Sequence, residues 1–276
     1  MDPIFNIMYK KLFLVASLFI AMLSSAHSQQ GNMLIKDGTV ITITQGVKEN
    51  TDVLIMDGKI AEIGKDLKAT AGTRVIDATG QFVMPGIIDA HSHIGIDAVN
   101  EGTHPVTAEV NVGEAIDPFD IAIYRALAGG VTISHAMHGS ANAIGGQCQT
   151  IKHRYGVLDP EAYKMQGAPR TIKFALGENP TRVHGIGRGI VPRTRMGVEF
   201  VIRKSFSEAK AYSEAWKKYN AEKASKPTAL PPKYDRRLET LAAVLSGEIL
   251  IHCHSYRADE ILMLMNVCKD FGIKKI

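Results

Sequence analysis

The stretch "MPGIIDAHSHIG" (residues 84–95) decides how the rest of the chain is read. An apolar run ends in His91 and His93, one residue apart. Successive side chains of a strand point to opposite faces, so positions i and i+2 share one. A His-x-His pair at the end of a strand therefore aims two imidazoles at one point, as a metal site requires. Asp89 falls on the same face, one step deeper.

Working outward, the texture before residue 85 differs from the texture after it. Upstream lie short β-branched segments: "GTVITIT" (38–44), "DVLIMDGKIAEIG" (52–64) and "RVIDATGQFVMPG" (74–86). Asp57-Gly58 between two such runs is a hairpin signal, so residues 29–84 read as a small antiparallel β unit. Downstream, apolar strands alternate with helical patterns. The strands are "GIIDAHSH" (86–93), "GVTISHAM" (130–137), "QTIKHR" (149–154), "TIKFALGE" (171–178) and "EILIHCHS" (248–255). Helices are predicted over 118–130, 198–224, 236–247 and 258–272. Such alternation implies parallel pairing with right-handed crossovers. The strands are apolar nearly throughout, as in a sheet covered on both faces.

The bulk numbers exclude little. The 276 residues are 45% hydrophobic and 22% charged, an ordinary globular composition with a net charge of +4. No basic stripe points to nucleic acid. At the N-terminus, Lys10 and Lys11 precede "LFLVASLFIAML" (12–23), and Ala26-His27-Ser28 offers a small-residue cleavage site. Residues 1–28 thus read as an export signal, giving a periplasmic or secreted protein with no membrane attachment after cleavage. Three sparse cysteines build no disulfide framework. Strand parity turns Cys253 away from its neighbours His252 and His254.

Polar residues collect at the C-terminal ends of the downstream strands: His91 and His93, then Glu178, then His252 and His254. In a parallel α/β barrel the chemistry sits at that end, contributed by several strands. Two His-x-His pairs and a carboxylate on three strands point to a bound cation. His254 shares the face of His252 and reads as substrate-facing or supporting. Asp89 could orient a ligand imidazole or bond backbone. His104, His135, His138, His153 and His184 read as ordinary, with His138, ending the second strand, the one to watch. "GSANAIGGQ" (139–147) lacks phosphate-loop spacing and reads as a tight turn.

"VMPGIIDAHSHIG" resembles the strand-one signature of the amidohydrolase superfamily, Pro-Gly-(Leu/Phe/Ile)-(Ile/Val)-Asp-x-His-x-His. "IKDGTVITIT", "DVLIMDGKIAEIG" and "VIDATGQFVMPG" are similar to its N-terminal β-sandwich segment. "GSANAIGGQ", "FALGENPTR" and "HCHSYRADEI" resemble a secreted branch related to imidazolonepropionase and metal-dependent dipeptidases. The resemblance implies a (β/α)8 TIM barrel over residues 85–276 holding one or two divalent metals, usually zinc. His91, His93 and His252 match ligand positions. A middle strand of the family supplies a bridging glutamate or carbamylated lysine, and here Glu178 and Lys173 are the candidates. Position at the strand end favours Glu178, and parity puts the two on opposite faces.

The implied reaction is metal-assisted hydrolysis of a carbon–nitrogen bond in an amide, cyclic amide or dipeptide-like small molecule. The family's strand-six histidine and strand-eight aspartate find no match up to Ile276. About the first five βα units are thus expected, and the chain alone is expected to fold poorly and not to hydrolyse. A non-catalytic metal-binding pseudoenzyme and a cyclic-amidine deaminase are the alternatives.

Overall fold

The computed structural model describes residues 31–274. The expected signal at 1–28 lies outside them. The chain divides into two units, Met1–Pro85 and Gly86–Ile276.

The first unit is one mixed five-stranded sheet. Strands β1 (Met33–Ile41), β2 (Val47–Met56) and β3 (Lys59–Gly64) form an antiparallel meander. Asp57 and Gly58 turn it with φ of 51° and 71°, the left-handed pair that a tight hairpin demands. Strands β4 (Arg74–Asp77) and β5 (Phe82–Val83) then run parallel to successive halves of β1. The expectation of a purely antiparallel unit is therefore corrected: among the described residues the sheet is mixed. The reason is local: β1 shifts register around Gly38, where a Cβ would stand 2.8 Å from a Val83 methyl. Each half of β1 thus meets a different partner.

The second unit is a five-stranded sheet in the order β10-β9-β8-β7-β6. Its strands are β6 (Ile87–Ser92), β7 (Val131–Ala136), β8 (Ile144–Lys152), β9 (Arg170–Ala175) and β10 (Ile249–His254). β6 pairs parallel with β7, and β9 with β10, but β8 runs antiparallel to both its neighbours. The all-parallel expectation fails at β8 because only residues 137–143 link it to β7. A parallel crossover needs a dozen or more residues.

Helix α1 (Ile121–Ala128) starts at Asp120, whose carboxylate accepts from Ala122 N–H and from Gly95 N–H at 2.7 Å, tying the helix to the exit of β6. Helices α2 (Arg195–Glu222), α3 (Arg236–Ser246) and α4 (Ala258–Asp270) cover the outer face of β9 and β10. On α2 the buried residues Val198, Val201, Ile202, Ser205, Phe206, Ala209 and Tyr212 recur at helical spacing. They pack with Ile172, Phe174, Ile249 and Ile251 from the outer side of the strands.

The inner face is where the sheet curls. His135 on β7 reaches His252 on β10 with ring centroids 4.6 Å apart, though β8 and β9 lie between them. At roughly 4.8 Å per strand a flat sheet would hold those backbones about 14 Å apart. The rolled sheet turns the inward side chains toward one another.

Candidate metal centre

The strand β6 presents the two histidines as the pattern demands. His93 Nδ1 lies 2.8 Å from the Met137 carbonyl, which can only accept, so Nδ1 donates and the lone pair of the neutral ring is the one on Nε2. The rings of His91 and His93 stand edge to face, centroids 5.3 Å apart. Asp89 accepts from the His91 backbone N–H at 3.1 Å. It thus braces the strand end rather than an imidazole.

Across the concave face stands Lys173, 2% exposed in the middle of β9. Its Nζ lies 3.3 Å from His91 Nε2 and 3.7 Å from Met137 Sδ. Among the described residues no carboxylate pairs with it. Burial draws the Lys173 ammonium below the usual lysine range, with the nearby Cys148 and Cys253 opposing. Register sets its height, because Lys173 is the β9 partner of His252.

His252 meets His135, whose Nε2 lies 2.7 Å from Thr171 Oγ1. Burial, then the neighbouring His252, pushes His135 down to about 4. His91, His252 and His254 are lowered too, by burial first and then by Lys173. These rings are therefore held unprotonated, with lone pairs to offer. His254 closes the row, its Nε2 accepting from Asn179 Nδ2 at 3.2 Å.

Glu178 is not brought to this cluster. β9 ends at Ala175, the chain turns out at Gly177 (φ 60°), and Glu178 opens a short helical turn. There it is exposed and pairs with Arg182 at 3.2 Å. His138 is also a correction. Its Nε2 accepts from Glu101 N–H at 2.8 Å and its Nδ1 lies 3.0 Å from the Gly139 carbonyl, so backbone consumes both nitrogens. The ring packs so closely on Gly145 and Gly146 that a Cβ on either would stand within 3.0 Å of it. That packing is the reason for the small residues of "GSANAIGGQ". His135, read from sequence as ordinary, belongs to the cluster. Its only mark in the sequence is its place near the C-terminal end of β7, on the parity of Val131 and Ile133.

Among the described residues no three His, Cys, Asp or Glu side chains form a ready ligand group. The arrangement is two imidazole pairs, 91/93 and 135/252, with a buried amine between them. Neutral nitrogen donors with no cationic partner but a desolvated lysine fit a divalent cation such as zinc.

No protein-family profile matches the chain. Over 245 residues it is 32% identical to amidohydrolase tasK of Hapsidospora irregularis, an alignment covering 80% of this chain and 25% of that protein. A dihydroorotase of Trichlorobacter lovleyi is 37% identical over 132 residues, 39% of this chain and 31% of the relative. The crystal structure of an amidohydrolase from Thermotoga maritima superposes with a TM-score of 0.78 at 36% identity, covering 88% of this chain and 63% of the other. The chain thus spans 25% and 31% of the lengths of these two curated relatives.

Proposed function

Because the chain belongs to the amidohydrolase superfamily, with its TIM-barrel-like α/β fold, we propose that it forms the metal-binding wall of a hydrolase for carbon–nitrogen bonds. Relatives named dihydroorotase and dihydropyrimidinase make cyclic amides the first substrates to try. One observation carries the reading: Lys173 Nζ sits 3.3 Å from His91 Nε2, buried and, among the described residues, without a carboxylate partner.

A divalent cation bound here would supply Lewis-acid polarisation and lower the pKa of its water toward about 7. His91 and His93 would hold it from β6, and His252 from β10. The Met137 carbonyl fixes the ring of His93, and Thr171 fixes that of His135. Lys173 is the bridging candidate in place of Glu178. Its amine, desolvated and more readily unprotonated, attacks carbon dioxide, loses a proton and becomes a carbamate. That conversion turns the amine end of the side chain into a carboxylate-like donor at His91. His254, tethered to Asn179, borders the substrate side.

The test is zinc content and carbamate formation in the full chain. Wild-type protein reconstituted with zinc and 13C-bicarbonate is expected to retain metal and to show a carbamate carbon signal. His91→Ala should lose metal affinity by at least about ten-fold, and Lys173→Ala should lose the carbamate signal. Equal metal in wild type and His91→Ala would end this reading.

A further inference from the structure

The outer helices build a second concavity that the proposed hydrolysis does not use. It holds about 330 Å³ and is lined by Tyr212, Trp216 and Asn220 of α2, with Tyr234 just ahead of α3 and Glu239 in its first turn. That volume is within the range of small-molecule sites, roughly 300–1,000 Å³.

Its walls are aromatic. Tyr212 and Trp216 are one helical turn apart, so they share a face of α2. Their rings meet at 66° with centroids 6.2 Å apart, giving two walls at an angle rather than a flat stack. Tyr219 backs Trp216 at 5.9 Å and 86°. Tyr234 supplies a third aromatic side chain and is 63% exposed, although it borders the concavity.

The floor is acidic. Glu239 Oε2 accepts from the Tyr212 hydroxyl at 2.8 Å. Among the described residues no Lys or Arg forms an ion pair with Glu239. Arg236, one turn away, is committed to Glu114 at 2.6 Å, and Arg237 faces Glu208 at 3.9 Å. Trp216 Nε1 is buried against the Tyr212 hydroxyl rather than open to the concavity.

Ring faces attract a cation held over them, and a carboxylate supplies the matching charge. We propose that this aromatic concavity binds an alkylated ammonium ion, such as the trimethylammonium group of choline.

Trp216 is the only tryptophan of the chain, so selectively excited tryptophan emission reports on this site alone. The full chain is titrated with choline chloride at constant ionic strength. The uncharged carbon isostere 3,3-dimethyl-1-butanol is titrated in parallel. Choline is expected to change the emission saturably, and the isostere is not. Glu239→Gln and Tyr234→Ala should each weaken choline binding at least five-fold, whereas His91→Ala should leave it unchanged. That last variant separates this proposal from the fate of the metal reading. No saturable response to choline, an equal response to the isostere, or unaltered affinity in Glu239→Gln would overturn it.

Discussion

Lys173 and Glu178 stand five residues apart, and the difference between them is settled by where β9 stops. Reading "TIKFALGE" as one strand puts the glutamate at the chemical end. The real strand closes at Ala175, and Gly177 carries the chain away. Gly177 is there for two reasons. Its φ of 60° with ψ of −121° is a backbone conformation that residues with a side chain rarely adopt, and a Cβ would lie 2.1 Å from Glu260 Oε1. That buried carboxylate is itself held by Arg195 at 2.5 Å and Ser255 Oγ at 3.0 Å. Gly177→Ala is therefore expected to cost about 2–3 kcal/mol, combining left-handed strain with displacement of a buried ion pair. Urea unfolding measures it, and a loss below about 0.5 kcal/mol would show that the turn relaxes freely. His91 and His93 were legible from spacing alone. His135 was not singled out, because one histidine in a strand carries no pattern of its own.

Periodicity located the helices well. The spans predicted at 198–224, 236–247 and 258–272 appear as Arg195–Glu222, Arg236–Ser246 and Ala258–Asp270. A long amphipathic stripe has few alternatives once it must cover a sheet. Strand direction was less legible. β8 and its neighbours have similar apolar texture, and only the shortness of the 137–143 link dictates the reversal. The element carrying most of the outer core is α2. Its Phe206 lies between Phe174 at 5.9 Å and Phe271 at 5.4 Å and is fully buried. Phe206→Ala should destabilise the protein by about 3–5 kcal/mol, from lost burial and the cavity left behind. Thermal or urea unfolding will read that directly. A cost under about 1 kcal/mol would mean that α2 is dispensable to the fold.

At the scale of the whole molecule, the curled sheet creates an acid sensitivity. His135 has a folded pKa of about 4 against an ordinary 6.5, so the unfolded chain binds more protons between those values. Stability is then intact above about pH 6.5 and falls as the pH drops toward 4. His91, His252 and His254 act with the same sign. For metal-free protein, moving from pH 7.5 to 5 should cost about 2 kcal/mol through His135 alone. His135→Gln should flatten that slope, and a profile already flat in the wild type would contradict it. Local sequence was enough to determine the texture change near residue 85, the helices, the hairpin at Asp57-Gly58 and the paired histidines, because period-2 and period-3.6 patterns are properties of neighbouring residues. The tertiary structure alone decided that Lys173 rather than Glu178 faces His91, that His135 joins His252, and that β8 runs backwards. Those outcomes depend on how far the sheet rolls and on strand register, which bring together residues 82 and 117 positions apart in the chain.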